Sequence, residues 1–375
     1  MKPNGKLPHV LTVITMSAIF GVASIPVSSI PLDQPEPVRF NRCWQRSFAD
    51  RAVEQLAADD VAAYVSLEHA AIKAVDLDNG VDNWFAELGG SVISNLLVIG
   101  NAIYVASGPA AVSENAGRVF VRSVSKLTGI TNWSVPFASS ERVWLLNSGG
   151  NVIAVGESGS IASFSSGTGV ISWQTTVAGQ ITAEPALSNG KILIGTAKKL
   201  LNVFSAADGR LLSAIPVNAT PSALSFVFDD EILVGDERGN LWLFGSESSP
   251  AWHHKNGARI ASVSRTRRGA LVSSFDNFIY MLSQKGDVVW KRRLQARPNS
   301  APAILDSVAL VGTVGNDPAY ILDLKNGKIL SQVGLPGDTT SIAALSGEGD
   351  IVFLSSSGLS LYSLSACSDN QKRRP

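Results

Sequence analysis

Eight short apolar runs recur along this chain at a nearly constant interval. They are AAYVSL from Ala62, AIYVAS from Ala102, VIAVGE from Val152, ILIGTA from Ile192, ILVGDE from Ile232, ALVSSF from Ala270, ALVGTV from Ala309 and IVFLSS from Ile351. Their starts lie about 40 residues apart, with one longer step between the second and third. Each run reads as a β-strand, follows another apolar segment, and precedes a third strand. In all but the last unit a fourth strand follows. Four short strands per period is the form of a propeller blade, because one small sheet buries its faces only against copies of itself. The expectation is an all-β, eight-bladed β-propeller. Composition agrees: 33 glycines and only 17% charged residues suit many strands and tight turns better than surface helices.

A second pattern lies within the period. AVDLDNGVDNW (Ala74 to Trp84), SVSKLTGITNW (Ser123 to Trp133) and SFSSGTGVISW (Ser163 to Trp173) place a glycine and a tryptophan at the same spacing after the third strand. Gly80, Gly129 and Gly169 supply the positive φ of a tight hairpin, and Asp76 accepts hydrogen bonds from turn N–H groups. Trp84, Trp133 and Trp173 then lie on the outer strand. Ala74 is expected to be small so that a tryptophan of the neighbouring blade can lie over it. YMLSQKGDVVW keeps Gly286 and Trp290, and Trp252 ends the unit whose hairpin lacks glycine. VFSAADGRLLS keeps Gly209 but has Ser213 in the tryptophan slot; ILDLKNGKILS keeps Asp323 and Gly327 but ends in Ser331.

This spacing resembles the tryptophan-docking repeat of the pyrroloquinoline-quinone-type, quinoprotein alcohol dehydrogenase-like propellers. The resemblance extends over nearly the whole chain after residue 40. In length and organisation the chain is similar to the non-enzymatic, exported BamB-like branch, whose members act as scaffolds in outer-membrane protein assembly.

The last unit supplies three strands and then a polar tail. NRCWQRSF, with Trp44, has the look of the missing outer strand, so three C-terminal strands and one N-terminal strand are expected to close the ring. This arrangement brings Cys43 to Cys367, and in an exported protein two such cysteines form a disulfide. Residues 1–23 read as a secretory signal, or a membrane anchor if uncleaved, because Lys2 and Lys6 precede the apolar Val10–Ala23 stretch and a small-residue cleavage site. Residues 24–40 read as a proline-rich linker, 41–368 as the propeller and 369–375 as a basic polar tail. An exported, periplasmic or extracytoplasmic location follows, assuming a bacterial source.

Little in the sequence announces chemistry. Formal net charge is zero, which provides no global field for nucleic acid. The enzyme branch of the family implies adjacent cysteines and a calcium-binding Asp/Glu/Asn set. Here no two cysteines are adjacent and no such set aligns, so no catalytic residue and no cofactor are expected. Asp76, Asp78 and Asp82 cluster as a weak metal candidate; a turn rich in turn-formers explains them better. His253 and His254 are neighbours on a strand and face opposite ways. Arg265, Arg267, Arg268, Lys291, Arg292 and Arg293 form a basic group that either protects sheet edges or makes a docking patch. The expected function is a monomeric, non-catalytic scaffold for protein or peptide partners, with membrane contact only through an N-terminal anchor. The alternative is a quinone-dependent dehydrogenase-like or other small-ligand propeller, and it turns on whether acids and amides converge at the channel mouth.

Overall fold

The computed structural model describes residues 41–367 apart from 49–51, 69, 109–117, 140, 229, 246–248, 300, 316–317, 336–338, 345–349, 356 and 364–366. The signal, the linker, the basic tail and His69 lie outside the described residues. Thirty-two strands form eight four-stranded antiparallel sheets. Seven are sequential meanders, blades 1 to 7, spanning residues 52–87, 97–137, 143–176, 186–216, 221–255, 260–293 and 303–333. Blade 8 takes three strands from 339–363 and its fourth from Asn41–Arg46.

The repeating apolar runs are the second strands. Ala62–Leu67, Gly269–Ser274 and Asp350–Ser355 are buried at every position. Each is central in its sheet, and the sheet is covered on both faces by the neighbouring blades. That is why these runs are continuously apolar, whereas a half-solvated strand alternates. Eight apolar clusters result, one per seam, including Trp44–Val75–Leu361 at the closing seam and Tyr64–Ile103–Trp84 at the next. Fourth strands are the rim: Asp82–Glu87 and Ile171–Thr176 are exposed at every other position or more. The hairpin joining third to fourth strand carries a β-bulge at the same place in blade after blade, as at Ala74/Val75, Ser123/Val124 and Met281/Leu282. Such a bulge sharpens the twist of the outer strand.

Ring closure is antiparallel. Asn41–Arg46 pairs with Gly358–Ser363, with Trp44 opposite Leu361. Cys43 and Cys367 form a disulfide across a sequence separation of 324, their Cα atoms 5.4 Å apart and both side chains buried.

Candidate functional site: the blade seams and the channel mouth

Six seams carry the same device. The indole Nε1 of Trp44 donates to Leu77 O at 2.6 Å, Trp84 to Lys126 O at 2.8 Å, and Trp133 to Ser166 O at 2.9 Å. Trp173 donates to Ala206 O at 3.1 Å, Trp252 to Gln284 O at 2.9 Å and Trp290 to Leu324 O at 3.0 Å. In every case the acceptor lies in the hairpin of the next blade, and the ring lies on that hairpin's glycine. The glycines are Gly80, Gly129, Gly169, Gly209, Gly286 and Gly327, with φ between +67° and +85°. A Cβ at Gly129 would come within 2.6 Å of Trp84, and one at Gly169 within 2.7 Å of Trp133. Glycine is thus required twice over, by conformation and by the approach of the ring. Asp76 Oδ1 accepts the N–H groups of Asp78 and Asn79, and Asp323 Oδ1 that of Lys325, which shapes the same turns.

The expected partner of the neighbouring tryptophan is corrected in one respect. The incoming indole, Trp44, covers Gly80 and packs with Val75 and Leu77, while Ala74 faces the opposite seam. Ala74 is instead the cross-strand partner of Trp84 in its own blade. Its equivalents in other blades are Val203, Leu243 and Met281, so that position does not need a small residue. Two arginines add to this device, one of them, Arg292, expected in the basic group and the other, Arg46, not singled out by the sequence. Arg46 Nη1 donates to Gly80 O at 2.6 Å, and Arg292 Nε donates to Gly327 O at 2.5 Å. Each stands two residues after its tryptophan and fastens the same turn from outside; the Trp-x-Arg spacing is the signal that would have found them.

The other proposed groups separate. Asp82 is ion-paired with Arg46 at 2.8 Å and Lys73 at 3.1 Å, Asp76 is occupied with its turn, and no metal-holding group of His, Cys, Asp or Glu occurs among the described residues. His253 stacks on Trp242 and His254 meets Tyr280 edge-on. Arg265, Arg267 and Arg268 line a cavity of about 690 Å³ with Phe228, Gln284 and Asp306, whereas Lys291, Arg292 and Arg293 belong to the outer strand of blade 6. The structure does not gather the six into one patch.

Acids and amides do converge at the channel mouth. A cavity of about 730 Å³ is lined by Gln55, Asn95, Glu157, Gln180, Glu184, Glu237 and Asn299, together with Arg142, Arg259, Trp144 and Phe275. Its walls are the first strands and the segments entering them, plus the turns between second and third strands. The wall is partly stitched by side chains: Asn95 pairs with both the N–H and the carbonyl of Leu145, at 2.8 and 3.1 Å. Gln180 donates to Glu157 at 2.8 Å, and Arg259 lies 3.3 Å from Glu237. Arg142 and Arg259 each lay a guanidinium over an aromatic ring, Trp144 and Phe275. Glu184 opens to the channel, yet desolvation by the surrounding protein pushes its carboxyl above the ordinary range, with Arg142 opposing the shift. Trp144 Nε1 and Thr182 Oγ1 are buried without a hydrogen-bond partner.

Ring architecture, repeated indole docks and closure define an eight-bladed β-propeller. A family model described as outer membrane protein assembly factor BamB matches residues 115–274, from before the third strand of blade 2 to the end of the second strand of blade 6. BamB from Moraxella catarrhalis superposes with a TM-score of 0.65 at 17% identity, covering 87% of this chain and 98% of that one. The computationally designed Ika8 protein superposes with a TM-score of 0.72 at 14% identity, covering 85% of this chain and 100% of that one. No curated protein matches the sequence.

Proposed function

We propose that this chain is an extracytoplasmic, non-catalytic scaffold that holds protein partners during assembly of envelope β-barrel proteins. One observation carries the reading. Within the segment matched by the BamB model, three successive blades expose apolar side chains around the hairpin into the outer strand: Leu127 and Ile130, Val170 and Ile171, Leu211 and Leu212. Leu127 is 86% exposed and Ile130 67%. A row of large apolar residues at the start of neighbouring outer strands is costly to leave in water and suits an extended or sheet-edged partner. The docked seams make the rim rigid, so binding orders little of the scaffold. Both a disulfide and the family match favour an oxidising, extracytoplasmic compartment.

The test is photo-cross-linking in the producing cell, with a photoreactive residue at position 127 and a control at Asp78 on the rim of blade 1. A discrete protein adduct from 127, lost on Val170→Glu, is expected. A folded, exported protein that gives no adduct from 127 would remove the proposal.

A further inference from the structure

We propose a second, independent site: a small-carboxylate subsite on the channel wall between blades 3 and 4. Arg142 and Trp144 stand two apart on the strand entering blade 3, and Thr182 and Glu184 stand two apart on the segment entering blade 4. All four line the channel cavity.

Their hydrogen-bonding capacity is unbalanced. Elsewhere on the wall two carboxylates have partners, Glu157 the amide of Gln180 and Glu237 the guanidinium of Arg259. Here Trp144, which is 6% exposed, has an indole N–H with no acceptor, and Thr182 has a hydroxyl with no partner. The Arg142 guanidinium lies over the Trp144 ring, 5.4 Å from its centroid. Stacking occupies the face of the cation and leaves its in-plane N–H donors, and no acceptor for them is found among the described residues. Glu184 lines the same cavity, and burial raises its carboxyl above the ordinary range against the opposing charge of Arg142. Two unpartnered polar groups and a stacked guanidinium thus belong to residues lining one cavity wall. A planar carboxylate fits this shortage, since two oxygens in one plane meet a guanidinium fork bidentately and retain lone pairs for a hydroxyl and an indole. Buried polar groups are rarely left unpaired without a reason of this kind.

The subsite stands apart from the exposed rim, so the two readings fail separately. The probes are acetate, succinate and citrate, titrated into the full mature protein, with the Trp144 indole ¹⁵N–H resonance followed by NMR. That resonance is assigned with Trp144→Phe. Saturable movement of this one indole signal by at least one of the three is expected, and weakening by about tenfold or more in Arg142→Gln. Thr182→Val should weaken binding less, and Arg267→Gln, in the other cavity, should leave it unchanged. Thermal melting of each variant guards against misfolding. No saturable movement with any of the three acids overturns the proposal; so does an unchanged affinity in folded Arg142→Gln, or equal movement of all tryptophan signals.

Discussion

At the scale of single residues, the docking glycines are the least replaceable positions in the molecule. Gly129→Ala puts a methyl group into the Trp84 ring and strains a left-handed backbone, and should cost about 2–4 kcal/mol in chemical denaturation. Trp84→Phe keeps much of the ring but drops its bond to Lys126 O and should cost about 1 kcal/mol for that bond alone. Two carboxylates should report pH with opposite signs. Burial alone would raise Asp59, but the bond from Lys126 at 2.8 Å and the N–H groups of Ala62 and Val61 hold it below its ordinary value. Its folded pKa being depressed, its stabilisation is present above the unfolded value and fades as pH falls through the folded one. Asp59→Asn should therefore be less stable than the parent at pH 7, by under about 1 kcal/mol given solvent screening, and equal to it in strong acid. Glu184 is raised, so its charged form is disfavoured in the fold. Glu184→Gln should gain stability on the parent as pH climbs above the unfolded carboxylate value, and show no gain below it. Urea titrations across pH check both.

At the scale of the element, donor and acceptor are lost together. Blade 4 has Ser213 where a tryptophan would stand, and the sequence of the following blade's hairpin has no docking glycine; residues 246–248 of that hairpin lie outside the described region. Beside its apolar cluster this seam has Asp230, which accepts from Asn189 at 2.7 Å and pairs with Lys191 at 3.3 Å. Blade 7 ends in Ser331, and the Tyr362 hydroxyl donates to Gly334 O at 3.3 Å across that seam. A partly exposed ion pair or a single long hydroxyl bond replaces less than an indole docked on a glycine turn. Amide hydrogen exchange should therefore be fastest beside seams 4–5 and 7–8 and slowest beside the seams of Trp173 and Trp290. Strand number, order and closure were legible because each is repeated or bounded in the sequence, eight times over for the second strands. The channel site was not. Arg142, Trp144, Thr182 and Glu184 lie outside the repeat, on inner segments whose neighbours are set only by ring curvature. Ala74 was misassigned for a related reason: spacing shows that two residues recur together, but not which face of a strand each occupies.

At the scale of the whole molecule, one covalent bond completes what the sheets begin. In the chain-entropy view, the Cys43–Cys367 link constrains the unfolded chain by about 5 kcal/mol at most, less whatever order that chain retains. Cys43→Ser with Cys367→Ser should lower the melting temperature and broaden the transition, as calorimetry with and without reductant can show. A closed ring unfolds as a unit, while a ring opened at blade 8 lets terminal blades fray first.

Blade 8 draws its outermost strand from the beginning of the chain and the other three from the end. During synthesis, Trp44 and its neighbours emerge long before residues 358–363, the strand they pair with. A chain cut short before that point lacks both the partner strand and Cys367, so Cys43 has no disulfide partner within the chain. Free-thiol labelling at Cys43 should therefore distinguish a chain whose last blade is complete from one that lacks it.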